Sequence, residues 1–174
     1  MTTLLKVGIL TASDRSHRGE REDKSGYLLK LLVEDIPAEV IAYHILPDEK
    51  NAIQKMLIHM ADILHCDLIL TTGGTGLAPR DVTPEATRGI LDREIPGIAE
   101  AIRAAGMRHK ATAMLSRGLS GIRGKTLIIN LPGSPYAAEE SFQILRPILG
   151  HAIELLRGEV SDCQKLSLLS HSHS

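Results

Sequence analysis

A predicted strand, glycine turn and helix between residues 67 and 87 form the stretch that most constrains the fold of this chain. The apolar run at 68–70 has no helical periodicity, which is typical of a buried strand. Glycines interrupt it at 73–76, where they allow a positive φ and a close approach of a ligand to the backbone. We expect a helix to begin next, with the Thr83 hydroxyl as its N-cap and Pro84 in its first turn.

The glycine turn and the acidic residue that follows it predict a phosphate site. Ligands of open α/β sheets bind beyond the carboxyl ends of the strands, and free backbone N–H groups at a glycine turn suit an anion. Asp81 lies next to Arg80, between this turn and the helix. A carboxylate beside a phosphate site indicates Mg²⁺, which usually takes one or two protein carboxylates.

Further strands and helices alternate along the chain. Pro147 should kink or split the last helix, and 113–119 is ambiguous. The alternation favours a three-layer α/β/α fold with a mostly parallel central sheet. No repeat or linker is evident, so we expect one domain at 1–165 and a flexible tail at 166–174. The predicted strands are 4–11, 40–46, 68–70 and 126–131, and the predicted helices are 25–35, 50–64, 83–92, 98–107 and 136–157.

Small and polar residues follow each of the four predicted strands. Read locally, Ser13 or Asp14 could cap a turn, and Asp48 could cap the helix that follows it. If the strands are parallel neighbours, Asp48 and Asp81 instead face one crevice. The coincidence of four such strand ends favours a functional role, and the segments are 11–15, 46–49, 71–81 and 130–135.

The composition disfavours several classes of partner. The chain of 174 residues has one Phe, three Tyr and no Trp, so nucleic-acid binding by aromatic stacking is not expected. Its formal net charge of −1 gives no electrostatic case for nucleic acid or an anionic membrane. No apolar run approaches the roughly 18 residues of a transmembrane helix.

Cysteine and histidine usage gives no metal signal. Cys66 and Cys163 lack metal spacing, and lone thiols suit a reducing compartment. His171 and His173 lie near the chain end without a ligand framework, so we do not expect a native metal site there. With no secretory signal pattern at the N-terminus, the cytoplasm is the expected location.

The strand-end segments are not P-loop, GxGxxG or GxSxG motifs, but together they resemble the MoaB/Mog family of molybdenum-cofactor biosynthesis proteins. The glycine turn joined to Asp-Val-Thr-Pro-Glu-Ala is the most specific part of this resemblance. The matching pieces occur in family order between residues 4 and 157. They are Ser13-Asp14-Arg15, Pro47-Asp48-Glu49, 71–76, 80–86, Ser116-Arg117 and 130–135.

The resemblance implies molybdopterin adenylyltransfer, in which a molybdopterin phosphate attacks the α-phosphate of ATP and pyrophosphate leaves. It points to Asp48 and Asp81 as the catalytic carboxylates and as ligands of Mg²⁺. A phosphate monoester needs little deprotonation, so these carboxylates suit metal binding better than acid–base work. The residues implied to bind pterin or nucleotide are Ser13, Asp14, Arg15, Thr72, Gly73, Gly74, Thr75, Gly76, Ser116, Arg117, Asn130, Pro132, Gly133 and Ser134.

The same resemblance implies a homotrimer and a molybdenum insertase as a further partner. It leaves an alternative, because related proteins with this fold can be non-catalytic molybdopterin-binding carriers or regulatory paralogues. The remaining hypothesis is an interaction module with a degenerate pocket. Turnover of molybdopterin and Mg-ATP separates the first two hypotheses, and the third predicts no ligand affinity.

Overall fold

Six strands form one mixed sheet in the computed structural model, which describes residues 4–159. The strand order is β2-β1-β3-β6-β5-β4. Strands β2, β1, β3 and β6 are parallel, whereas β5 is antiparallel to both β6 and β4. The strands are β1 (Leu5–Ala12), β2 (Ala38–Leu46), β3 (Leu68–Thr72), β4 (Arg93–Glu94), β5 (Ser120–Arg123) and β6 (Thr126–Leu131).

The helices follow the predicted alternation, with local differences. The helix expected at 50–64 is an α-helix that continues as a π-helix at His59–Ile63, and the one expected at 83–92 ends at Arg88. The last helix is not split at Pro147. The α-helices are α1 (Asp14–His17), α2 (Lys24–Glu34), α3 (Lys50–Ile58), α4 (Thr83–Arg88), α5 (Pro96–Met107) and α6 (Pro135–Arg157), with a 3₁₀ turn at Ala111–Leu115.

Two aliphatic cores, one on each face of the sheet, confirm the three-layer architecture. Val7 and Ile9 of β1 face the core formed with α2, α5 and α6, where Phe142 is fully enclosed. Leu10 of the same strand faces the core formed with α3 and α4. Side chains alternate between the faces of a strand, so an almost continuous apolar run supplies both cores.

Strands β4 and β5 were not predicted, for a physical reason. Strand β4 has only two residues, both exposed, and β5 is a four-residue Ser-Gly-Ile-Arg segment. A Cβ on Gly121 would stand 2.4 Å from the carbonyl oxygen of Arg93, so glycine is needed where these strands meet. The pairing of β5 with β6 and of β4 with β5, rather than any local pattern, forms this edge of the sheet.

Several expectations concern residues beyond the described part of the chain: the domain boundary at 165, the tail at 166–174, Cys163 and the two tail histidines. Cys66 is buried, and burial raises the pKa of its thiol to about 11, so it is poorly reactive at neutral pH. Among the described residues, 4–159, no helix has the length and apolar character needed to cross a bilayer.

Candidate active site

The loops that follow β1, β2, β3 and β6 enclose a cavity of about 340 Å³ at the carboxyl edge of the sheet. This agrees with the rule that places ligand sites beyond the carboxyl ends of parallel strands. Both predicted carboxylates, Asp48 and Asp81, line it. The other predicted site residues in its wall are Ser13, Thr72, Gly73, Gly74, Gly133 and Ser134.

Gly73 lies where the backbones of three loops come together. Its φ is +90°, and a Cβ there would stand 2.3 Å from the carbonyl oxygen of Ala12 at the end of β1. A Cβ on Gly133, beyond β6, would lie 3.2 Å from the Gly73 Cα. Both the left-handed conformation and the space therefore require glycine, as the sequence predicted.

Gly74 is also left-handed, with a φ of +66°. A Cβ there would stand 2.3 Å from the Thr83 hydroxyl oxygen and 3.1 Å from Oδ1 of Asp48. Gly76, in contrast, does not have a positive φ, so that part of the expectation is wrong. It is small for another reason, because a Cβ would lie 2.8 Å from Oδ2 of Asp81.

The Asp48 side chain does not cap α3, which excludes the local alternative. The N-cap of that helix is Glu49, without a side-chain hydrogen bond. Asp48 Oδ2 instead accepts a hydrogen bond from the Asp14 N–H (3.0 Å), while the Asp48 N–H donates to Asp14 Oδ1 (3.0 Å). Oδ1 of Asp48 is buried with no hydrogen-bond partner among the described residues. Burial also raises the pKa of Asp48 above its usual value.

Asp14 is held by Arg80 in a two-point ion pair. Arg80 Nε donates to Oδ2 (2.9 Å) and Nη2 donates to Oδ1 (2.7 Å). The Arg80 guanidinium lowers the pKa of Asp14 to about 2. Asp14 therefore contacts Asp48 and Arg80 instead of facing the cavity, while the neighbouring Ser13 caps α1 by accepting a hydrogen bond from the Ser16 N–H.

Arg117 braces the loop that carries Asp81. Its Nε donates to the carbonyl oxygen of Gly76 and its Nη2 to that of Asp81, each at 2.7 Å. The same guanidinium contacts the Glu85 carboxylate. Asp81 Oδ2 accepts a hydrogen bond from the Ala78 N–H (2.9 Å), which closes the turn. Arg117, predicted as a ligand residue, is thus committed to the protein backbone.

Thr83 has a different position from the one predicted. The N-cap of α4 is Val82, so the expected threonine cap is wrong. The Thr83 N–H donates to the Gly74 carbonyl oxygen (3.1 Å), which docks the helix against the glycine loop. Its fully buried hydroxyl has no hydrogen-bond partner among the described residues. The only sequence signal for this role was its place directly after Asp81-Val82.

A second cavity, of about 290 Å³, lies on the other side of the glycine loop. Its wall includes Ile102 and Leu115 beside Tyr136, so it is less polar than the first cavity. The rings of Tyr136 and His109 meet edge to face with centroids 5.9 Å apart. The predicted site residues in this wall are Thr75, Gly76, Ser116, Pro132 and Ser134, of which Ser134 also lines the first cavity.

The remaining predicted residues line neither cavity. Asn130 is buried, and its amide donates to the hydroxyls of Thr71 (3.0 Å) and Thr87 (2.9 Å), which ties β3 to α4. Arg15 is exposed on α1. The family resemblance implied a binding role for these residues, but the amide contacts of Asn130 are made within the protein.

Two cations in the wall of the first cavity, Arg21 and Lys24, were missed. They lie on either side of Glu22 and Asp23, which line the same wall. Asp23 caps α2 by accepting a hydrogen bond from the Gly26 N–H (3.0 Å). The other Asp23 oxygen accepts from the Thr11 hydroxyl (2.6 Å) and so ties the segment to β1. The capping pattern of an Asp three residues before Gly26 was the available signal.

Comparison with known proteins agrees with this geometry. Residues 8–151 match the family described as "Probable molybdopterin binding domain". The chain is 40% identical over 156 residues to the molybdopterin adenylyltransferase of Helicobacter pylori strain J99, covering 88% of this chain and 89% of that protein. It is 45% identical over 162 residues to the molybdenum cofactor synthesis protein cinnamon of Drosophila melanogaster, covering 92% of this chain and 27% of cinnamon.

The structural comparison gives the same result. The molybdopterin biosynthesis enzyme MoaB of Thermus thermophilus superposes with a TM-score of 0.85 and 53% sequence identity. The match covers 89% of this chain and 98% of that one. Sequence, fold and the loops of the cavity thus agree, and the chain belongs to the probable molybdopterin-binding domain family, of the MoaB/Mog type.

Proposed function

We propose that this protein is a molybdopterin adenylyltransferase, which joins the AMP of ATP to the terminal phosphate of molybdopterin and releases pyrophosphate. One observation carries the proposal: two cavities meet across a single glycine loop, with Gly73 and Gly74 in the first wall and Thr75 and Gly76 in the second. A transfer between two bound substrates needs their reacting atoms side by side. Relatives named molybdopterin adenylyltransferase support the same reaction.

The chemistry requires charge to be neutralised more than protons to be moved. A molybdopterin phosphate oxygen forms a bond to the α-phosphorus of ATP as the bond to the β-phosphate oxygen breaks. Two anions must approach, and the leaving pyrophosphate gains charge. The backbone N–H groups of the Gly73–Gly74 turn can donate to phosphate, while Arg21 and Lys24 supply positive charge in the same wall.

Mg²⁺ fits the carboxylates of the first cavity. When bound, the ion would offset the charge of the phosphates and of the leaving group. Asp48 presents a buried, unpartnered Oδ1 among the described residues, which is costly unless a cation or donor occupies it. Asp81 lines the same cavity with one oxygen committed to the Ala78 N–H. Two carboxylates suffice, because Mg²⁺ usually completes its shell with substrate phosphates and water.

The two cavities differ in their lining, so we assign the substrate phosphates to one and a substrate ring to the other. We assign the phosphates to the first cavity, because its glycine turn offers backbone N–H groups and its wall carries two cations. The same wall carries four carboxylates, at Glu22, Asp23, Asp48 and Asp81, so this assignment depends on a bound Mg²⁺. The second cavity suits a planar heterocycle, because Tyr136, His109 and aliphatic side chains line it. Ser116 and Ser134 supply hydroxyls beside that ring. Which ring enters, pterin or adenine, sets the orientation of the two substrates.

A direct assay tests the proposal. Purified protein is incubated with molybdopterin and Mg-ATP, and adenylylated molybdopterin and pyrophosphate are measured. We expect both products in equal amounts and neither without Mg²⁺. No product above background from folded protein and authentic substrate would reject the activity. Binding of molybdopterin without an Mg-ATP site would instead favour the non-catalytic carrier.

The setting of the reaction is a separate proposal, and it rests on the resemblance to the MoaB/Mog family. We expect the protein to act in the cytoplasm as a homotrimer and to pass its product to a molybdenum insertase. The product is an activated intermediate, so a protein that consumes it is chemically required for molybdenum-cofactor assembly. Co-purification with an insertase from an extract, enhanced by both substrates, would support the hand-over.

A further inference from the structure

We propose that Asp14 and Arg80 are positioning residues: their ion pair fixes the Asp48 carboxylate against the glycine loop without contacting substrate. The inference deepens the proposed function and rests on it for the role of Asp48. Asp14 follows β1, Asp48 follows β2, and Arg80 belongs to the loop after β3. The ion pair and the two hydrogen bonds between Asp14 and Asp48 thus join three loops that no local sequence pattern connects.

Asp14 and Asp48 bond to each other reciprocally, each through its backbone N–H and its carboxylate. The Asp14 N–H donates to Asp48 Oδ2, and the Asp48 N–H donates to Asp14 Oδ1, each at 3.0 Å. This closed pair restrains both the position and the rotation of the Asp48 carboxylate. With Oδ2 used in this way, Oδ1 is left buried beside Gly74, and it has no partner among residues 4–159.

Arg80 offsets the repulsion between the two acids. Two carboxylates in direct proximity repel each other, and that repulsion would separate Asp14 from Asp48. The Arg80 guanidinium contacts both oxygens of Asp14 at 2.9 and 2.7 Å and offsets this charge. A planar guanidinium can do so in one fixed orientation, which a lysine ammonium cannot reproduce.

The ion pair of Asp14 and Arg80 is also linked to Asp81 through the chain. Arg80 and Asp81 are consecutive, and Asp81 is held by its own turn and by Arg117. Arg80 therefore fixes the β1 and β2 loops relative to the loop that carries the second carboxylate. The distance between Asp48 and Asp81, on which a shared Mg²⁺ depends, is set through Arg80 and Asp14.

The test measures Mg²⁺-dependent ATP binding by calorimetry in Arg80→Ala, Asp14→Ala and the double variant. If the pair acts as a unit, each single variant weakens binding about tenfold and the double variant is no weaker than either single one. Arg80→Ala should also have no further effect in an Asp48→Ala background. Arg80→Lys should recover only part of the affinity.

The matched control is Arg88→Ala. Arg88 forms an ion pair with Glu94 at 2.7 Å, and its side chain is 59% exposed, as is that of Arg80. Arg88 lies outside both cavities, so its loss should leave ATP affinity unchanged. Amide hydrogen exchange provides a second readout: Arg80→Ala should speed exchange at the Asp14 and Asp48 N–H groups while β6 stays protected.

The binding and exchange results distinguish a positioning role from direct contact with the nucleotide. Additive losses from Arg80→Ala and Asp14→Ala, or a persistent Arg80 effect without Asp48, would show direct contact with nucleotide and overturn the positioning role. Unchanged affinity and exchange would overturn it as well. If the unmodified protein binds Mg-ATP but forms no product, only the proposed function fails. If it does not bind Mg-ATP, both fail.

Discussion

At the scale of single residues, the site is marked by polar atoms that lack partners. Asp48 Oδ1 and the Thr83 hydroxyl are both buried without a hydrogen bond in the described part of the chain, and both lie around Gly74. Buried polar atoms are normally satisfied, and each unsatisfied one lowers stability. Asp48 and Gly74 line the first cavity, and Thr83 lies directly behind Gly74, so an unsatisfied carboxylate oxygen there is expected where a ligand or ion completes its contacts.

Asp48→Asn should stabilise the protein at neutral pH while abolishing turnover. The folded-state pKa of Asp48 is raised, mainly by burial, so the charged carboxylate lowers stability once the pH exceeds the unfolded-state pKa. The amide removes that charge and keeps an acceptor for the Asp14 N–H. The gain in unfolding free energy should therefore be present at pH 7 and vanish below about pH 4, where the carboxyl is protonated in both states.

Chemical denaturation across this pH range measures the effect. Asp62→Asn is the control with the opposite sign. Arg123 lowers the folded-state pKa of Asp62, so the Asp62 charge stabilises the protein at pH 7, and this contribution is lost as the pH falls through the lowered pKa. A loss of stability in Asp48→Asn at pH 7 would contradict the prediction.

Asp81→Asn should leave the fold intact and reduce turnover by roughly 10²–10³-fold, the usual effect of losing one important electrostatic contact. The amide can still accept the Ala78 N–H, but it cannot supply a carboxylate to Mg²⁺. Steady-state kinetics at saturating Mg-ATP measures the loss. Asp92→Asn is the matched control, since Asp92 also accepts a backbone N–H (Gly124, 2.7 Å) but lies outside both cavities. Near-normal turnover would remove Asp81 from the metal site.

At the scale of elements, the glycine loop is held in place from three sides. The Thr83 N–H of α4 docks to Gly74, the backbone of β1 packs on Gly73, and Arg117 binds two loop carbonyl groups. A turn of this composition is flexible when isolated, because glycine restricts its backbone least. Its shape is therefore imposed by neighbouring elements, and Arg117, which precedes β5, contributes two side-chain hydrogen bonds to it.

Arg117→Lys should destabilise the protein by about 1–3 kcal/mol and loosen the loop, because lysine cannot reach both carbonyl groups and Glu85 at once. Hydrogen exchange should accelerate at residues 74–81, and the KM for Mg-ATP should rise. Arg123→Lys is a fair comparison: Arg123 pairs with Asp62 and donates to the Ile90 carbonyl oxygen (2.9 Å), but it lies away from the loop. Equal changes in hydrogen exchange at residues 74–81 in the two variants would contradict the proposed role of Arg117 in holding the loop.

At the scale of the molecule, a set of exposed apolar side chains borders the second cavity. Each one lines this cavity or directly adjoins a residue that does. Ala105, by contrast, is only 4% exposed and packs inside its own subunit, so a charge there would test folding and not assembly. The exposed residues are Leu77, Met107, Met114 and Leu115.

Met114→Glu should therefore disperse the proposed homotrimer, because an unpaired charge buried at an interface is costly. Light scattering on the unmodified protein comes first and should give the mass of a trimer. Ile63→Glu is the control, since Ile63 is 64% exposed on the π-helix and lies outside the second cavity. A concentration-independent monomer mass for the unmodified protein would reject the trimer without affecting the active-site argument.

Local pattern determined most of the architecture of this chain. The apolar runs of β1, β3 and β6 and the amphipathic helices between them predicted a three-layer fold, because burial periodicity is a property of consecutive residues. The positive φ of Gly73 and Gly74 was also predictable locally, because glycine adopts that conformation readily. Parallel order then placed Asp48 and Asp81 at one edge of the sheet, as expected from their positions after strands.

Only the tertiary structure decided what each polar side chain does there. The family resemblance implied that Asn130, Arg117 and Asp14 bind substrate and that Asp48 is a catalytic carboxylate. The first three instead bond to protein partners that include residues 32 to 66 positions away in the sequence. Arg21 and Lys24 reach the cavity because Asp23 ties their segment to β1. A hydrogen bond depends on the distance between atoms and not on sequence spacing, so the fold alone separates the residues that brace the site from those left free to bind.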